Sequence, residues 1–187
     1  TADDLGAPGP DYRFGWGLMN TERAAEIIRR DAAGGDARVI ESVILSNEVG
    51  DTYTCYHPGS APLAATLCWT DPPGTATNGN DVRDPVLVND LDLRIYGPDG
   101  VTNRPFVLDF MQPDTPATTG DNTRDNVEQV YLSSLSPAGM YTVHVDYKGS
   151  VYNGEQSYSL VISGLVPEPV AVPLCCAGII ACALRRR

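Results

Sequence analysis

Apolar and polar residues alternate most cleanly along Tyr141-Thr142-Val143-His144-Val145-Asp146-Tyr147. A period of two places Tyr141, Val143 and Val145 on one face and predicts a strand buried on one side. Tyr158, Leu160 and Ile162 repeat the pattern, with Ser157, Ser159 and Ser163 opposite. Leu91, Leu93 and Ile95 alternate with Asp90, Asp92 and Arg94, then run into the turn signal Gly97-Pro98-Asp99-Gly100. Further strands are predicted over Val39–Leu45, Asp51–Tyr56, Leu63–Trp69, Phe106–Phe110 and Val127–Leu132. About eight strands with turn signals between them predict an all-β fold, an antiparallel two-sheet sandwich of jelly-roll type, over residues 36–165. Two long polar loops interrupt it, Asp71–Pro85 and Gln112–Asp125, and loops of that length commonly carry function.

The pattern changes at both ends. Residues 1–35 open on Gly6-Ala7-Pro8-Gly9-Pro10 and continue into a helical stretch. Asn20 is a suitable N-cap, Glu22 sits in the first turn, and Arg29 and Arg30 sit in the last, all matching the helix dipole. Ala24, Ala25, Ile27 and Ile28 make its apolar face, and Gly34-Gly35 stops it. So short a helix has little to pack against locally and reads as the closing helix of a domain whose remainder lies upstream. Residues 166–187 differ again. Val166-Pro167-Glu168-Pro169 precedes fifteen uncharged, mostly apolar residues, Val170–Leu184, and Arg185-Arg186-Arg187 closes the chain. As a helix the apolar stretch spans about 22 Å. That is short of the ~20 residues that cross a bilayer core comfortably. With the arginines held on the cytoplasmic side, it predicts a weak, transient membrane stop.

Composition narrows the chemistry. The chain has 187 residues and a formal net charge of -11, with no basic footprint for nucleic acid. The acidity either serves solubility or marks calcium sites, since calcium takes six to eight oxygen ligands. Asn89-Asp90-Leu91-Asp92 puts Asp90 and Asp92 on one strand face. Asp121-Asn122-Thr123-Arg124-Asp125-Asn126-Val127-Glu128 is equally dense in oxygens. Asp90, Asp92, Asp121, Asp125 and Glu128 are therefore the candidate calcium ligands. The bland alternative is a solvated strand face and turn hydrogen bonds. No Cys/His spacing suits zinc. Cys55 and Cys68 could pair if their strands are neighbours, or remain buried thiols. His57, before a proline, and His144, on the polar side of a strand, read as surface residues, and Trp69 as a core residue. No nucleophile–base pair for covalent catalysis is expected in this chain.

Two resemblances add to this reading. Val166-Pro167-Glu168-Pro169, the apolar stretch and Arg185, Arg186 and Arg187 together resemble the PEP-CTERM sorting signal of bacteria. That resemblance implies export, transient inner-membrane anchoring, and cleavage near Pro167–Pro169 by an exosortase. The destination would be the cell surface or extracellular matrix. Thr1–Gly6, then Gly9-Pro10-Asp11-Tyr12-Arg13-Phe14-Gly15-Trp16-Gly17-Leu18-Met19-Asn20 and the helix, resemble the end of a subtilisin-like catalytic domain (a subtilase). The β unit is similar to the C-terminal β-barrel domain that follows some bacterial subtilases. The stretches that carry this are Leu67–Gly74, Leu87–Leu93, Gly120-Asp121-Asn122 with Asp125–Glu128, and Tyr158–Gly164. Related domains carry calcium, so the resemblance also implies that ion. The family's Gly-Thr-Ser-Met and His-Gly-Thr motifs do not occur here. The implied whole is an exported serine endopeptidase acting on polypeptide substrates. This chain would supply the sandwich that stabilises its catalytic domain or binds substrate or matrix. The alternatives are a free-standing surface module that binds carbohydrate or protein, and a structural matrix component.

Overall fold

The computed structural model describes residues 1–80, 82–133 and 136–166. Its elements are α1 (Thr21–Ala32), β1 (Ala37–Leu45), β2 (Asp51–His57), β3 (Leu63–Trp69), β4 (Leu91–Tyr96), β5 (Thr102–Asn103), β6 (Phe106–Val107), β7 (Thr118–Thr119), β8 (Val127–Leu132), β9 (Gly139–Tyr147) and β10 (Glu155–Ser163). Two four-stranded antiparallel sheets run in the orders β1-β10-β3-β8 and β2-β9-β4-β5. Along the chain, β1, β3, β8 and β10 fall in the first sheet while β2, β4, β5 and β9 fall in the second, the winding of a jelly roll. The all-β sandwich expected from the alternation is the observed fold.

The inward faces carry the apolar positions of each strand. Leu63, Ala65, Leu67, Leu160, Ile162 and Val130 from the first sheet meet Leu91, Leu93, Ile95, Tyr141, Val143 and Val145 from the second, all buried. Register fixes the opposition: Leu160 stands beside Leu67, and Leu93 beside Val145. Each large aliphatic side chain withdrawn from water contributes about 1.5–3 kcal/mol, which makes this layer the main source of stability.

The helix forms where the caps place it. Asn20 accepts a hydrogen bond from the Arg23 backbone N–H at 2.9 Å. Gly34 follows at φ +66°, a left-handed position that ends the helix without a Cβ penalty. α1 lies along β1, yet none of its residues is fully buried. Asn20→Ala should cost about 1 kcal/mol of helix stability. It should be read as faster amide exchange confined to the first turn of α1, with the sandwich amides unchanged.

Several expectations are corrected by the fold. The predicted strand Phe106–Phe110 is reduced to β6, two residues paired with β7, because Asp109 turns the chain by accepting from the Met111 N–H at 2.8 Å. His57 is wholly buried rather than at the surface. Its Nδ1–H donates to the Gly164 carbonyl at 2.9 Å, and its ring meets Tyr141 edge-on. The turn signal at Pro58 is genuine, but Gly164–Val166 returns across the histidine and covers it. His144 keeps to the outer face of β9, half-buried against Tyr96. Trp69 faces the core as expected. Cys55 and Cys68 are both free: Cys55 is half-buried in the second sheet, while Cys68 is exposed on the first. Among the described residues no helix is long and apolar enough to cross a membrane. The expected C-terminal apolar helix, like Pro167, Glu168, Pro169, Arg185, Arg186 and Arg187 of the sorting motif, lies outside the described residues.

Candidate functional site

The end of the sandwich where β4 begins is organised by the stretch Leu87–Asp90. Both carboxylate oxygens of Asp71 accept backbone N–H groups, from Val88 at 2.7 Å and Asn89 at 2.8 Å. Asn89, itself buried, donates to Gln156 Oε1 at 2.7 Å and accepts from the Tyr152 N–H at 2.7 Å. The Trp69 indole donates to the Asn89 carbonyl at 3.1 Å. Asn89 is thus a structural clamp between loop, β3 and β10, and it sets where the carboxylates that follow it point.

Four of the five candidate ligands converge there. Asp90 and Asp92 come from the start of β4, Asp121 from the loop before β8, and Glu128 from β8 of the opposite sheet. Their common partners are two cations. Lys148 Nζ lies 3.1 Å from Asp90 Oδ2, 3.0 Å from Asp92 Oδ1 and 3.1 Å from Asp121 Oδ2. Arg94 donates to Asp92 Oδ1 at 2.7 Å and also to Asp121, with Glu128 Oε2 at 3.8 Å. Asp125 stands apart: it accepts from Asn122 Nδ2 at 2.9 Å inside a turn of its own. β4 is not the solvated face of the simpler reading, because Asp92 and Arg94 are both buried.

Glu128 has the most unusual surroundings. It points inward with Val130 and Leu132 and has no exposed surface. β5 pairs only with Ile95 and Tyr96, so among the described residues no strand lies along the edge of β4 at Leu93. Glu128 Oε2 accepts the Leu93 N–H at 2.6 Å, and Arg94 Nη1 donates to the Leu93 carbonyl at 2.8 Å. Two side chains thereby do for one residue what a ladder partner would do. Burial pushes the Glu128 carboxyl up to about 8, so near neutrality it is largely protonated. Burial also raises Asp90. For Asp121 burial pulls upward, but the hydrogen bond from Lys148 and the charges of Lys148 and Arg94 prevail and leave it below the ordinary carboxylate range. The carboxylates of Asp90, Asp92 and Asp121 all pair with Lys148 or Arg94. That pairing lets a partly buried charged cluster persist.

Lys148 and Arg94 occupy the oxygens that a calcium ion at this position would take. An ion there would need the oxygens that Arg94 and Lys148 hold, and both cations would have to leave. Among the described residues no group of three or more His, Cys, Asp or Glu side chains is arranged to hold a metal. The donor set as built is an ionic cluster that ties β4, β8, β9 and the loop before β8 together. EDTA should leave the melting temperature unchanged, and excess calcium should not raise it. A rise of several degrees with calcium that EDTA reverses would show that Lys148 and Arg94 yield to the ion.

The carboxylates of this cluster were visible in the sequence, but its cations were not. Lys148 sits one residue past β9, and only the pairing of Leu91 with Tyr147 brings it beside Asp90. Strand alternation could place Arg94 on the face of Asp92, yet nothing in the sequence signalled that this face is covered. No family model matches the chain, and no curated protein matches it significantly, so the likeness to subtilases stands on the quoted residues alone.

Proposed function

We propose that this chain is the accessory β-sandwich portion of an exported subtilisin-like serine endopeptidase, with a PEP-CTERM-type tail. One observation carries the reading. The front segment displays a run of large apolar side chains that the sandwich leaves uncovered: Tyr12, Phe14, Leu18, Met19 and Ile28 are all about half exposed or more. A patch of that kind marks an interaction surface. It lies in the same residues that resemble the end of a subtilase catalytic domain. In this reading the patch seats the chain's own catalytic domain, and peptide-bond hydrolysis is performed there rather than in the sandwich. The tail is held briefly in the inner membrane and cut by an exosortase.

Two measurements on the exported protein test this. The coding sequence upstream of Thr1 should hold His-Gly-Thr and Gly-Thr-Ser-Met motifs in frame. A fluorophosphonate probe should label a band that contains these peptides and ends near Pro167–Pro169. An initiator methionine directly before Thr1, or a band that never labels, would overturn the protease reading.

A second reading, a surface module that binds carbohydrate or protein, is favoured by a cleft of about 820 Å³ between the front segment and the outer face of the first sheet. Trp16, Phe106 and Tyr131 line it with Asp4, Arg23 and Gln129, a mixture able to stack on sugar rings and bond their hydroxyls. Retention on an insoluble polysaccharide that Tyr131→Ala abolishes would favour this module over the protease.

A further inference from the structure

The chain holds two Asn-Gly pairs, Asn78-Gly79 and Asn153-Gly154. In such a pair the asparagine side chain is open to attack by the chain itself, because glycine has no Cβ to shield its backbone nitrogen. Closing the five-membered ring needs that nitrogen free of a hydrogen bond and swung to the side of the asparagine Cβ. The fold treats the two pairs differently. Asn153 is held at φ 58° and ψ 12°. At that ψ the Gly154 nitrogen nearly eclipses the Asn153 nitrogen and is turned away from Cβ. Its N–H also donates to the Val151 carbonyl at 3.0 Å. The turn is braced on both sides: the Gly154 carbonyl accepts from the Ser46 N–H at 2.9 Å, and the Tyr152 N–H donates to the buried Asn89 side chain at 2.7 Å. Asn78-Gly79 lies instead at the tip of the loop between β3 and β4, where residues 73–80 are all exposed. Among the described residues the Gly79 N–H has no hydrogen-bond partner, and neither has the Asn78 side chain. The loop is tied only at its feet, by Asp71 to the Val88 and Asn89 N–H groups and by Arg124 Nη1 to the Arg83 carbonyl at 2.7 Å.

We propose that Asn78 is a self-modification site, converted on the folded protein to aspartate and isoaspartate, while Asn153 is protected by its turn. The Gly79 nitrogen gives up its proton and bonds Asn78 Cγ. The Cγ–Nδ2 bond breaks, and Nδ2 leaves with that proton as ammonia. Water then opens the cyclic imide. Breaking the new bond to Cγ gives aspartate. Breaking the bond to the Asn78 carbonyl carbon gives isoaspartate, which puts one more methylene into the main chain. Water is the only co-reactant. Either product adds a negative charge to a chain whose formal net charge is already -11. The fold around β4 is spared, because Asp71 makes its two bonds at the foot of the loop and not at its tip.

The full chain is aged in mildly alkaline buffer, both folded and in urea. Peptide mass spectrometry follows the amide-to-acid mass gain at each asparagine, and isoaspartyl methyltransferase with labelled S-adenosylmethionine counts isoaspartate. In the folded protein Asn78 should convert at least about tenfold faster than Asn153, since the Asn153 turn must first break its hydrogen bonds. In urea the two rates should come within about threefold, because only the fold separates them. Asn78→Gln should remove most of the methyl label from the folded protein, as a glutamine must close a slower six-membered ring. Equal rates at the two sites in the folded protein would overturn the proposal. So would an Asn78 that converts only in urea, because the loop tip would then be held as firmly as the turn.

Discussion

Replacing Arg94 by methionine is expected to cost the sandwich about 3–5 kcal/mol, one of the two largest effects anticipated here. The guanidinium reaches Asp92, Asp121 and the Leu93 carbonyl, with Glu128 close by, and its side chain is 11% exposed. Methionine restores most of the packing volume but no donor and no charge. Asp92, itself buried, then keeps only Lys148 as a charged partner, and the Leu93 carbonyl loses its bond. The loss is that of stranding buried anions, not the net worth of the original pairs. Urea denaturation should show the midpoint falling while the slope holds. Lys148→Met should cost less, because its side chain is 37% exposed and water can take over part of its role. A change below about 1 kcal/mol in Arg94→Met would mean that the cluster is open to solvent.

The second large effect is a pH dependence that belongs to Glu128. Its folded-state carboxyl is raised by burial to about 8, from an ordinary value of 4.5. Between those values the folded chain holds a proton that the unfolded chain has released. Stability from this group is therefore complete below about pH 4.5, declines as the pH rises, and levels off above about pH 8. The integrated decline is on the order of 5 kcal/mol. Asp90, also raised by burial, tilts the curve the same way at its acidic end. Asp121 is shifted downward, so its contribution is lost only in stronger acid, outside this window. In Glu128→Gln the side-chain carbonyl can still accept the Leu93 N–H, but nothing titrates. The variant should show a nearly flat stability between pH 5 and 8 and exceed the parent at pH 8.5. A parent curve already flat across that range would contradict a buried, proton-holding Glu128.

Local chemistry accounts for what could be read before folding. Period-two alternation placed β3 and β8 to the residue, because a strand's burial pattern is written in its own side chains. The cap at Asn20 and the stop at Gly34-Gly35 are equally local and likewise held. The failures have two causes, one distant and one local. His57 was misread because its cover comes from Gly164–Val166, more than a hundred positions away. Phe106–Phe110 was over-extended because apolar residues there suggested a ladder, while Asp109 offered the backbone a turn instead.

By itself, then, the sequence determined the fold class, the apolar faces of the strands, the helix boundaries and the acidic character of two loops, since each follows from neighbours a few positions apart. Only the tertiary structure decided that Asp90, Asp92, Asp121 and Glu128 share one cluster, that Arg94 and Lys148 pair with it, and that Asp125 stays out. Charges on β4, β8 and β9 meet through strand pairing and sheet stacking, and the energy of a buried charge depends on which partners that long-range assembly delivers.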